Sequence, residues 1–433
     1  MKVLWLCLFL PKQVADKMNM EGSVKEGWIT GALNRMMQGD NDVSLAIAYP
    51  VADRESEQRT DVMLTETMQV PVYSFYEDIK KPEDYCLSMS ARFLEIIEDY
   101  KPDVVHVFGT EYPHTLAMAR TVKSMSLDKG EAPRLLIGLQ GIIHKCGEVY
   151  TADVPSEITH AYTFRDILKK DNIAAARAKF LERGEYEKEA LTLADNVTGR
   201  TSFDMSVSKK FNPNVRYFHM NETLREEFYS GTWDLNECNR HTIFVSQGDY
   251  PLKGLHTVLE AMPGILDRYP DARIFVAGNN VAKRDTLKSK IKLSTYGKYL
   301  NSIMDTYHLH DKVTFLGRLD VTQMKEQYLM CHTYVCASSI ENSPNSMGEA
   351  MLLGVPVVAT RTGGIPDMIN DEEEGLLFEV GNTSGLADDI CSIWDDDAKA
   401  LSLSAAALNR ACFTHDADRN YNRLMEIYGE LCK

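Results

Sequence analysis

The stretch that decides the fold is residues 241–279, "HTIFVSQGDYPLKGLHTVLEAMPGILDRYPDARIFVAGN". Two short apolar runs, "TIFV" and "RIFVA", flank a segment in which Leu255, Leu259 and Met262 recur at helical spacing. Pro270 follows the end of that stripe, where a helix commonly stops. A strand, a helix and a second strand in this order predict a βαβ unit with parallel strands that are covered by helices.

The same alternation extends over almost the whole chain. In the first half the expected strands are 3–10, 43–49, 70–74, 103–109, 135–140, 196–201 and 215–219. In the second half they are "HTIFVSQG", "ARIFVAGN", "KVTFLGR", "HTYVCAS", "PVVATRTGG" and "GLLFEV". Two successive series of this kind predict two doubly wound α/β domains. We place them at 1–235 and 236–414, divided by the polar stretch "YSGTWDLNECNRH", with a helical tail at 415–433. Ligands are expected in the cleft between the domains.

Composition narrows the class of protein. The 433 residues are 44% hydrophobic and 25% charged, as in soluble globular proteins. A formal net charge of −16 argues against a nucleic-acid partner, which would require a basic face. Nine cysteines without a CxxC pair indicate a reduced, cytoplasmic chain without a metal site. "MKVLWLCLFLPKQV" is interpreted as a first buried strand, since no signal-peptide cleavage site follows it.

The stretch "SSIENSPNSMGEAMLLGVP" (338–356) has two interpretations. Ser346 and Glu349 fit the S-x-x-E capping box, which starts helices without any chemistry. Alternatively, the helix start binds phosphate, and Gly348 lets a ligand approach the backbone. Glu341 and Glu349 would then accept hydrogen bonds from hydroxyl groups. A phosphate between two hydroxyl-bearing groups describes a nucleotide sugar.

A second candidate element is "SQGDYPLKGL", in which a strand ends at Gly248 and Lys253 precedes a helix. Lys253 would act as a point charge for a diphosphate. The alternative is an exposed lysine at a helix start, a position that the helix dipole disfavours. A third element, Thr362-Gly363-Gly364, forms another backbone-rich turn after a buried strand.

Together with "VTFLGRL" (313–319) and "GEAMLLGVPVVATRTGGIPDMI" (348–369), these elements resemble the retaining glycosyltransferases of family four. The resemblance implies an α/β chain with the GT-B fold: two doubly wound Rossmann-like domains facing across a cleft, and a C-terminal helix crossing back to the N-terminal domain. It implies transfer of a sugar from a UDP- or GDP-sugar to a glycan or lipid-linked glycan acceptor. Retention of configuration is expected, without a metal or a cofactor.

The same resemblance assigns residues to roles. Lys253 and Glu341 would be catalytic. The donor-binding residues would be Gly248, Lys253, Gly317, Arg318, Glu341, Asn345, Ser346 and Glu349. The acceptor or phosphate loops would hold Gly22, Gly27, Glu111, Gln140 and His144.

The chain departs from the family pattern in three places. Gly248 stands where the family has a phosphate-binding arginine, and its replacement is open among Arg318, Arg361 and Arg200. Pro344 stands where the family donates a backbone N–H, which proline lacks. In the first domain the family has a histidine-glycine pair, where this chain reads "LQGIIHKCG"; either Gln140 or His144 would take that role.

Two alternatives stay open: a noncatalytic nucleotide-sugar-binding protein, which the missing arginine and histidine favour, and a GT-B sugar-nucleotide epimerase. One further segment, "KRDTLKSKIKLSTYGKY" (283–299), holds six basic residues and one acidic residue. This segment is interpreted either as a solvated helix or as a surface that binds a phosphate-bearing acceptor or an anionic membrane. Peripheral membrane contact is therefore an open expectation.

Overall fold

The computed structural model describes residues 1–20, 27–38, 43–129 and 132–433. The chain divides into two compact units. The N-terminal unit comprises 1–144, 180–225 and 415–433, and the C-terminal unit comprises 145–179 and 226–414. In the described residues no helix combines the length and the hydropathy needed to cross a bilayer.

The N-terminal unit is built on an eight-stranded sheet of described residues, in the order β3-β4-β2-β1-β5-β6-β7-β8. Its strands are β1 (Lys2–Leu6), β2 (Ser44–Val51), β3 (Arg59–Met63), β4 (Gln69–Tyr76), β5 (Val104–Phe108), β6 (Arg134–Gly138), β7 (Asn196–Gly199) and β8 (Arg216–His219). All neighbouring pairs are parallel except β3 and β4. The direction of winding reverses between β1 and β5, the point where ligands commonly bind in open α/β sheets.

The C-terminal unit has a six-stranded parallel sheet among the described residues, in the order β11-β10-β9-β12-β13-β14. Its strands are β9 (Asn239–Val245), β10 (Arg273–Ala277), β11 (Val313–Gly317), β12 (Cys331–Cys336), β13 (Val357–Thr360) and β14 (Leu376–Phe378). β9 and β12 are neighbours in the sheet but not in sequence, so the winding reverses between them. A ligand site is expected at their carboxyl ends.

Helices connect the strands. In the described residues they are α1 (Lys12–Lys17), α2 (Gly27–Gln38), α3 (Met89–Tyr100), α4 (Pro113–Lys129), α5 (Ile143–Val149), α6 (Ser156–Thr159), α7 (Phe164–Lys169), α8 (Ile173–Leu193), α9 (Ser202–Phe211), α10 (Leu255–Arg268), α11 (Leu287–Ile291), α12 (Thr295–Thr306), α13 (Val321–Met330), α14 (Asn345–Leu352), α15 (Ile365–Met368), α16 (Thr383–Asp395), α17 (Asp397–Thr414) and α18 (Ala417–Leu431). Short 3-10 helices cover Arg54–Ser56, Glu226–Tyr229 and Pro251–Lys253.

The C-terminal helix α18 packs on the N-terminal sheet, as the fold expected from the sequence requires. Among the described residues, the buried apolar side chains of this unit form two clusters. Strand side chains alternate between the two faces of the sheet, so Leu4 belongs to one cluster and Trp5 to the other. The Trp5 cluster contains Tyr428 of α18. Trp5 Nε1 donates to the Tyr428 hydroxyl at 2.8 Å, and that hydroxyl lies 2.8 Å from His106 Nδ1. Burial lowers the pKa of His106 to about 3, so the ring is neutral in this core.

The division of the chain differs from the expected boundary at 235/236 in two respects. The second unit begins at Glu226, at the 3-10 helix before the polar stretch. In addition, residues 145–179 belong to the C-terminal unit although they precede β7 and β8 in sequence. One contact that holds them there is Asp166 Oδ2, which accepts from the Thr295 backbone N–H at 2.9 Å. Such a contact between residues 129 apart leaves no local pattern in the sequence.

Candidate functional site

The carboxyl ends of β9 and β12 bring Lys253 and Glu341 together. The loop after β9 ends in the 3-10 turn Pro251–Lys253, and Gly254 follows with φ +68° at the start of α10. A Cβ on Gly254 would lie 1.8 Å from the carbonyl oxygen of Ala337, which follows β12. The two loops therefore touch through a position that only glycine can occupy.

Lys253 and Glu341 form an ion pair, with 2.6 Å between Nζ and Oε1. Burial by itself would lower the pKa of the Lys253 ammonium, but the Glu341 carboxylate outweighs it and holds that pKa well above its ordinary value. The two side chains are 22% and 16% exposed, so an incoming ligand can reach them. Lys253 supplies a cation and Glu341 accepts hydrogen bonds from hydroxyl groups. Both lie where the winding of the C-terminal sheet reverses, between β9 and β12.

Glu341 is oriented by its neighbours. The Ser338 hydroxyl donates to Glu341 Oε1 at 2.7 Å. The backbone N–H of Gly364 donates to the Glu341 carbonyl at 3.0 Å. Gly363 has φ +55°, and a Cβ there would lie 1.9 Å from the same carbonyl oxygen. The turn after β13 thus supports the Glu341 loop, which gives the Thr362-Gly363-Gly364 motif a supporting role.

The helix α14 begins at Asn345, and the expected capping box is not formed. Pro344 occupies the N-cap position and makes no side-chain cap, so the capping prediction for Ser346 is wrong. The Ser346 hydroxyl instead accepts from the Tyr334 hydroxyl of β12 at 3.0 Å. Glu349 lies in the first turns of this helix and is only 4% exposed. The start of α14 is therefore tied to the sheet, and its dipole points its positive end at the strand ends.

The position where the resembling family has an arginine is too crowded for one. A Cβ on Gly248 would lie 2.6 Å from Leu255 Cδ2 and 3.1 Å from Val276 Cγ1. Gly248 serves close packing between the loop after β9 and the helix α10. Any second cation for an anionic ligand has to come from elsewhere.

Of the three arginines considered for that role, two are paired with carboxylates. Arg361 pairs with Asp371, and Arg200 pairs with Glu222 in the N-terminal unit at 3.1 Å. Arg318 is exposed and bonds to the neutral side chain of an asparagine, with 3.1 Å between Nε and Oδ1. It follows Gly317, whose φ is +79° and whose missing side chain faces open space. Arg318 is therefore the best placed of the three.

In the N-terminal unit, two predicted residues lie together at the carboxyl edge of the sheet. Glu111, after β5, is partly buried against two glycines. Cβ atoms built on Gly109 and Gly141 would lie 2.2 Å and 2.9 Å from its carboxyl oxygens. Gln140, after β6, donates through Nε2 to Glu222. A Gly109 Cβ would also lie 3.7 Å from Gln140 Cγ, so the side chains of Glu111 and Gln140 are close to each other.

The other predicted N-terminal residues are placed differently. His144 is 1% exposed, and its Nδ1 lies 2.6 Å from Glu187 Oε2. It is an interior residue of this unit. Gly27 begins α2, and a Cβ there would lie 2.1 Å from Arg225 Cγ, so it serves packing. Gly22 lies outside the described residues.

The sequence analysis did not identify the residues that hold the two candidate sites in place, one in each unit. Glu187, in the middle of α8, accepts from the backbone N–H groups of Ile143 and His144 at 3.1 Å and 2.9 Å. Ser338 and Tyr334 orient Glu341 and the start of α14. A buried glutamate inside a helix and a tyrosine inside a strand carry no motif, so no sequence signal identifies them.

The Glu111 carboxyl gives a testable pH dependence. Burial raises its pKa to about 7, from an ordinary value of 4.5. Between these pH values the folded state keeps a proton that the unfolded state releases, so the contribution of Glu111 to stability is full below pH 4.5 and is lost as pH rises through 7. From pH 5 to 8 we expect the wild type to lose on the order of 2 kcal/mol relative to Glu111→Gln. Thermal unfolding of both proteins across this range measures the difference, and a constant difference would contradict the assignment.

Part of the chain matches a family model and segments of curated proteins. Residues 227–410 match the family model of glycosyl transferases group 1. Over 95 residues the chain is 36% identical to N-acetyl-alpha-D-glucosaminyl L-malate synthase of Bacillus anthracis, covering 22% of this chain and 24% of that protein. Over 191 residues it is 24% identical to phosphatidyl-myo-inositol mannosyltransferase of Mycobacterium leprae, covering 43% and 45%. The matched segments thus span less than half of these relatives.

Solved structures cover nearly the whole chain. Sucrose-phosphate synthase of Thermosynechococcus elongatus superposes with a TM-score of 0.65 at 14% identity, over 99% of this chain and 98% of that one. HepE of Anabaena, solved in complex with UDP-glucose, superposes with a TM-score of 0.62 at 16% identity, over 99% and 100%. The chain therefore has the GT-B fold, and its residues 227–410 are similar to the glycosyl transferases of group 1.

Proposed function

We propose that the chain transfers a sugar from a nucleoside-diphosphate sugar, UDP- or GDP-linked, to a glycan or lipid-linked acceptor, with retention of configuration and without a metal. The observation that carries the proposal is the Lys253–Glu341 pair at the winding reversal of the C-terminal sheet. Such a pair offers a cation to a diphosphate and a carboxylate to sugar hydroxyls in one place. The group 1 match over residues 227–410 supports it.

We assign the donor to the strand ends of the C-terminal unit. Lys253 and the positive end of α14, at Asn345 and Ser346, hold the diphosphate. Glu349 accepts hydrogen bonds from the ribose hydroxyls, and Glu341 accepts them from the sugar. Arg318 lies at the end of β11, two strands from β9 in the sheet, and contacts the base or the outer phosphate.

We assign the acceptor to the carboxyl edge of the N-terminal sheet, at Glu111 and Gln140. In the proposed reaction the bond between the sugar carbon and the diphosphate oxygen breaks, and an acceptor hydroxyl forms the new bond on the same face. Its proton passes to the leaving diphosphate. Lys253 and the helix dipole stabilise the charge that develops on that diphosphate, which is where preorganised charges accelerate such reactions most.

The proposal is tested with purified protein and a panel of UDP- and GDP-sugars, in the presence of EDTA, by thermal shift, donor hydrolysis and transfer to added glycans. We expect one donor to stabilise the protein, and Glu349→Gln to weaken its binding about tenfold, because a charge-assisted hydrogen bond to ribose is lost. Glu373→Gln, an exposed carboxylate in the same unit, is the matched control and should bind normally.

The outcomes separate the alternatives. Stabilisation by a donor without hydrolysis or transfer would indicate a noncatalytic nucleotide-sugar-binding protein. Conversion of the donor to its epimer without any acceptor would indicate an epimerase. If no nucleotide sugar shifts the melting temperature, the proposed donor site is refuted.

A further inference from the structure

Two helices of the C-terminal unit expose large apolar side chains outside the proposed donor site. In and before α7, Tyr162, Phe164, Ile167 and Leu168 are 62%, 63%, 63% and 68% exposed. Phe164, Ile167 and Leu168 follow the i, i+3, i+4 spacing of one helical face. The opposite face carries Asp166, which is fully buried. This helix therefore points its apolar face at solvent.

The helix α11 adds to the same region. Leu287 and Ile291 occupy i and i+4 of that helix and are 76% and 49% exposed. Both helices lie close to the start of α12, since Asp166 of α7 accepts from the backbone N–H of Thr295 at 2.9 Å and α11 ends four residues before Thr295. We call the exposed side chains of 162–170 and 287–292 the α7–α11 surface.

Lysines accompany the apolar side chains. The exposed lysines of this surface are Lys169, Lys170, Lys288, Lys290 and Lys292. Among the described residues, no carboxylate lies within ion-pair distance of any of the five. Three acids close to these lysines in sequence are already engaged: Asp166 and Asp171 pair with Arg165 at 3.0 Å and 2.9 Å, and Asp285 pairs with Lys283 at 3.4 Å. The surface is thus positive in a chain of net charge −16.

This combination favours a lipid bilayer over a protein as the occupant. Cores of protein interfaces are depleted in lysine, whereas lysines around apolar side chains suit an anionic membrane surface. Their long stems let the ammonium groups reach the phosphates while the apolar groups enter the headgroup layer. The remaining surface of this acidic protein would be repelled by the same lipids. The protein would therefore bind the membrane with these two helices facing it.

We propose that the α7–α11 surface docks the protein peripherally on membranes that contain anionic phospholipids. The docking requires no glycosyl transfer and stands apart from the proposed function. It uses residues 162–170, which the sequence alone does not place next to the basic segment 283–299. The association is reversible and weakens with salt, because exposed charges are screened within about 10 Å at 0.1 M ionic strength.

The full-length protein is tested by co-sedimentation with phosphatidylcholine vesicles, with and without roughly 30% phosphatidylglycerol, at about 0.1 M salt. We expect binding only to the anionic vesicles. The double substitution Ile167→Glu and Leu168→Glu should lower the partition coefficient at least about tenfold. Lys288→Gln with Lys290→Gln should lower it about 25-fold, since each lysine near such a surface contributes about fivefold.

Matched controls remove similar side chains elsewhere. Leu127→Glu and Leu401→Glu change apolar residues that are 77% and 51% exposed, and Lys123→Gln with Lys209→Gln removes two exposed lysines. All of these variants should bind anionic vesicles within about twofold of wild type. Since every substituted side chain is exposed, melting temperatures and the donor-induced shift should not change.

Three results would overturn the proposal. The first is failure of the wild type to bind anionic vesicles, or equal binding to neutral ones. The second is an equal loss of binding in the control variants. The third is sedimentation showing that the wild type self-associates and that Ile167→Glu with Leu168→Glu dissociates it without any effect on vesicle binding, which would make the surface a contact between copies of this chain.

Discussion

Replacing Lys253 with methionine is expected to lower glycosyl transfer by about a hundredfold to a thousandfold. Methionine keeps the length of the side chain and removes its charge. In the proposed reaction that charge faces the diphosphate as it leaves, and the loss of a preorganised donor of this kind costs about 3–4 kcal/mol of transition-state stabilisation. Initial rates of transfer for wild type and variant, at saturating donor, measure the effect.

The variant also disturbs the folded protein, and this contribution can be separated. Without the Lys253 ammonium, the Glu341 carboxylate, which is 16% exposed, loses the partner that lies 2.6 Å away. Breaking such a pair costs about 2 kcal/mol for a partly buried carboxylate, so Lys253→Met should melt earlier. Adding Glu341→Gln removes the orphaned charge and should restore much of the melting temperature but none of the transfer.

Lys325→Met serves as the control for this experiment. Lys325 is half-buried and donates through Nζ to the Ser230 hydroxyl at 2.9 Å, away from the carboxyl edge of β9 and β12. Its substitution should leave transfer and stability unchanged. Unchanged transfer in Lys253→Met, or recovery of transfer in the double variant, would show that Lys253 has only a structural role.

Most strands could be predicted because buried parallel strands are continuous apolar runs. The thirteen predicted strands all correspond to strands of the structure, with shifts of a few residues at their ends. The strand that was missed, β3 (Arg59–Met63), has one buried residue and lies antiparallel at the sheet edge. Three of its five residues are exposed and two of these, Arg59 and Asp61, are charged, so the strand carries neither an apolar run nor a clear alternation.

The placement of the candidate site could be predicted, because it depends on backbone turns and on charged residues at strand ends. Lys253 and Glu341 both follow central strands, and the topology alone brings such residues together. The absence of the Ser346 capping box could not be predicted, because the partner of the Ser346 hydroxyl, Tyr334, lies on a strand and carries no local signal. The interior position of His144 depends in the same way on Glu187, 43 residues away.

Gly254 is the position where a single methyl group should do the most damage to the fold. Its φ is +68°, and a Cβ would lie 1.8 Å from the Ala337 carbonyl oxygen and 2.7 Å from the carbonyl carbon. Both are backbone atoms, which cannot rotate away as a flexible side chain could. Gly254→Ala therefore has to separate the loop after β9 from the loop after β12, and these loops carry Lys253 and Glu341.

We expect Gly254→Ala to destabilise the protein by about 3–5 kcal/mol and to abolish donor binding along with it. The control is Gly317→Ala, which has a similar φ of +79° but nothing within 4 Å of the added Cβ. That variant bears only the backbone strain, about 1–2 kcal/mol. Denaturant unfolding of the two variants compares them directly. Equal destabilisation would mean that backbone strain explains both and that the contact between the two loops contributes nothing; a much larger loss in Gly254→Ala would show that this contact holds Lys253 and Glu341 in register.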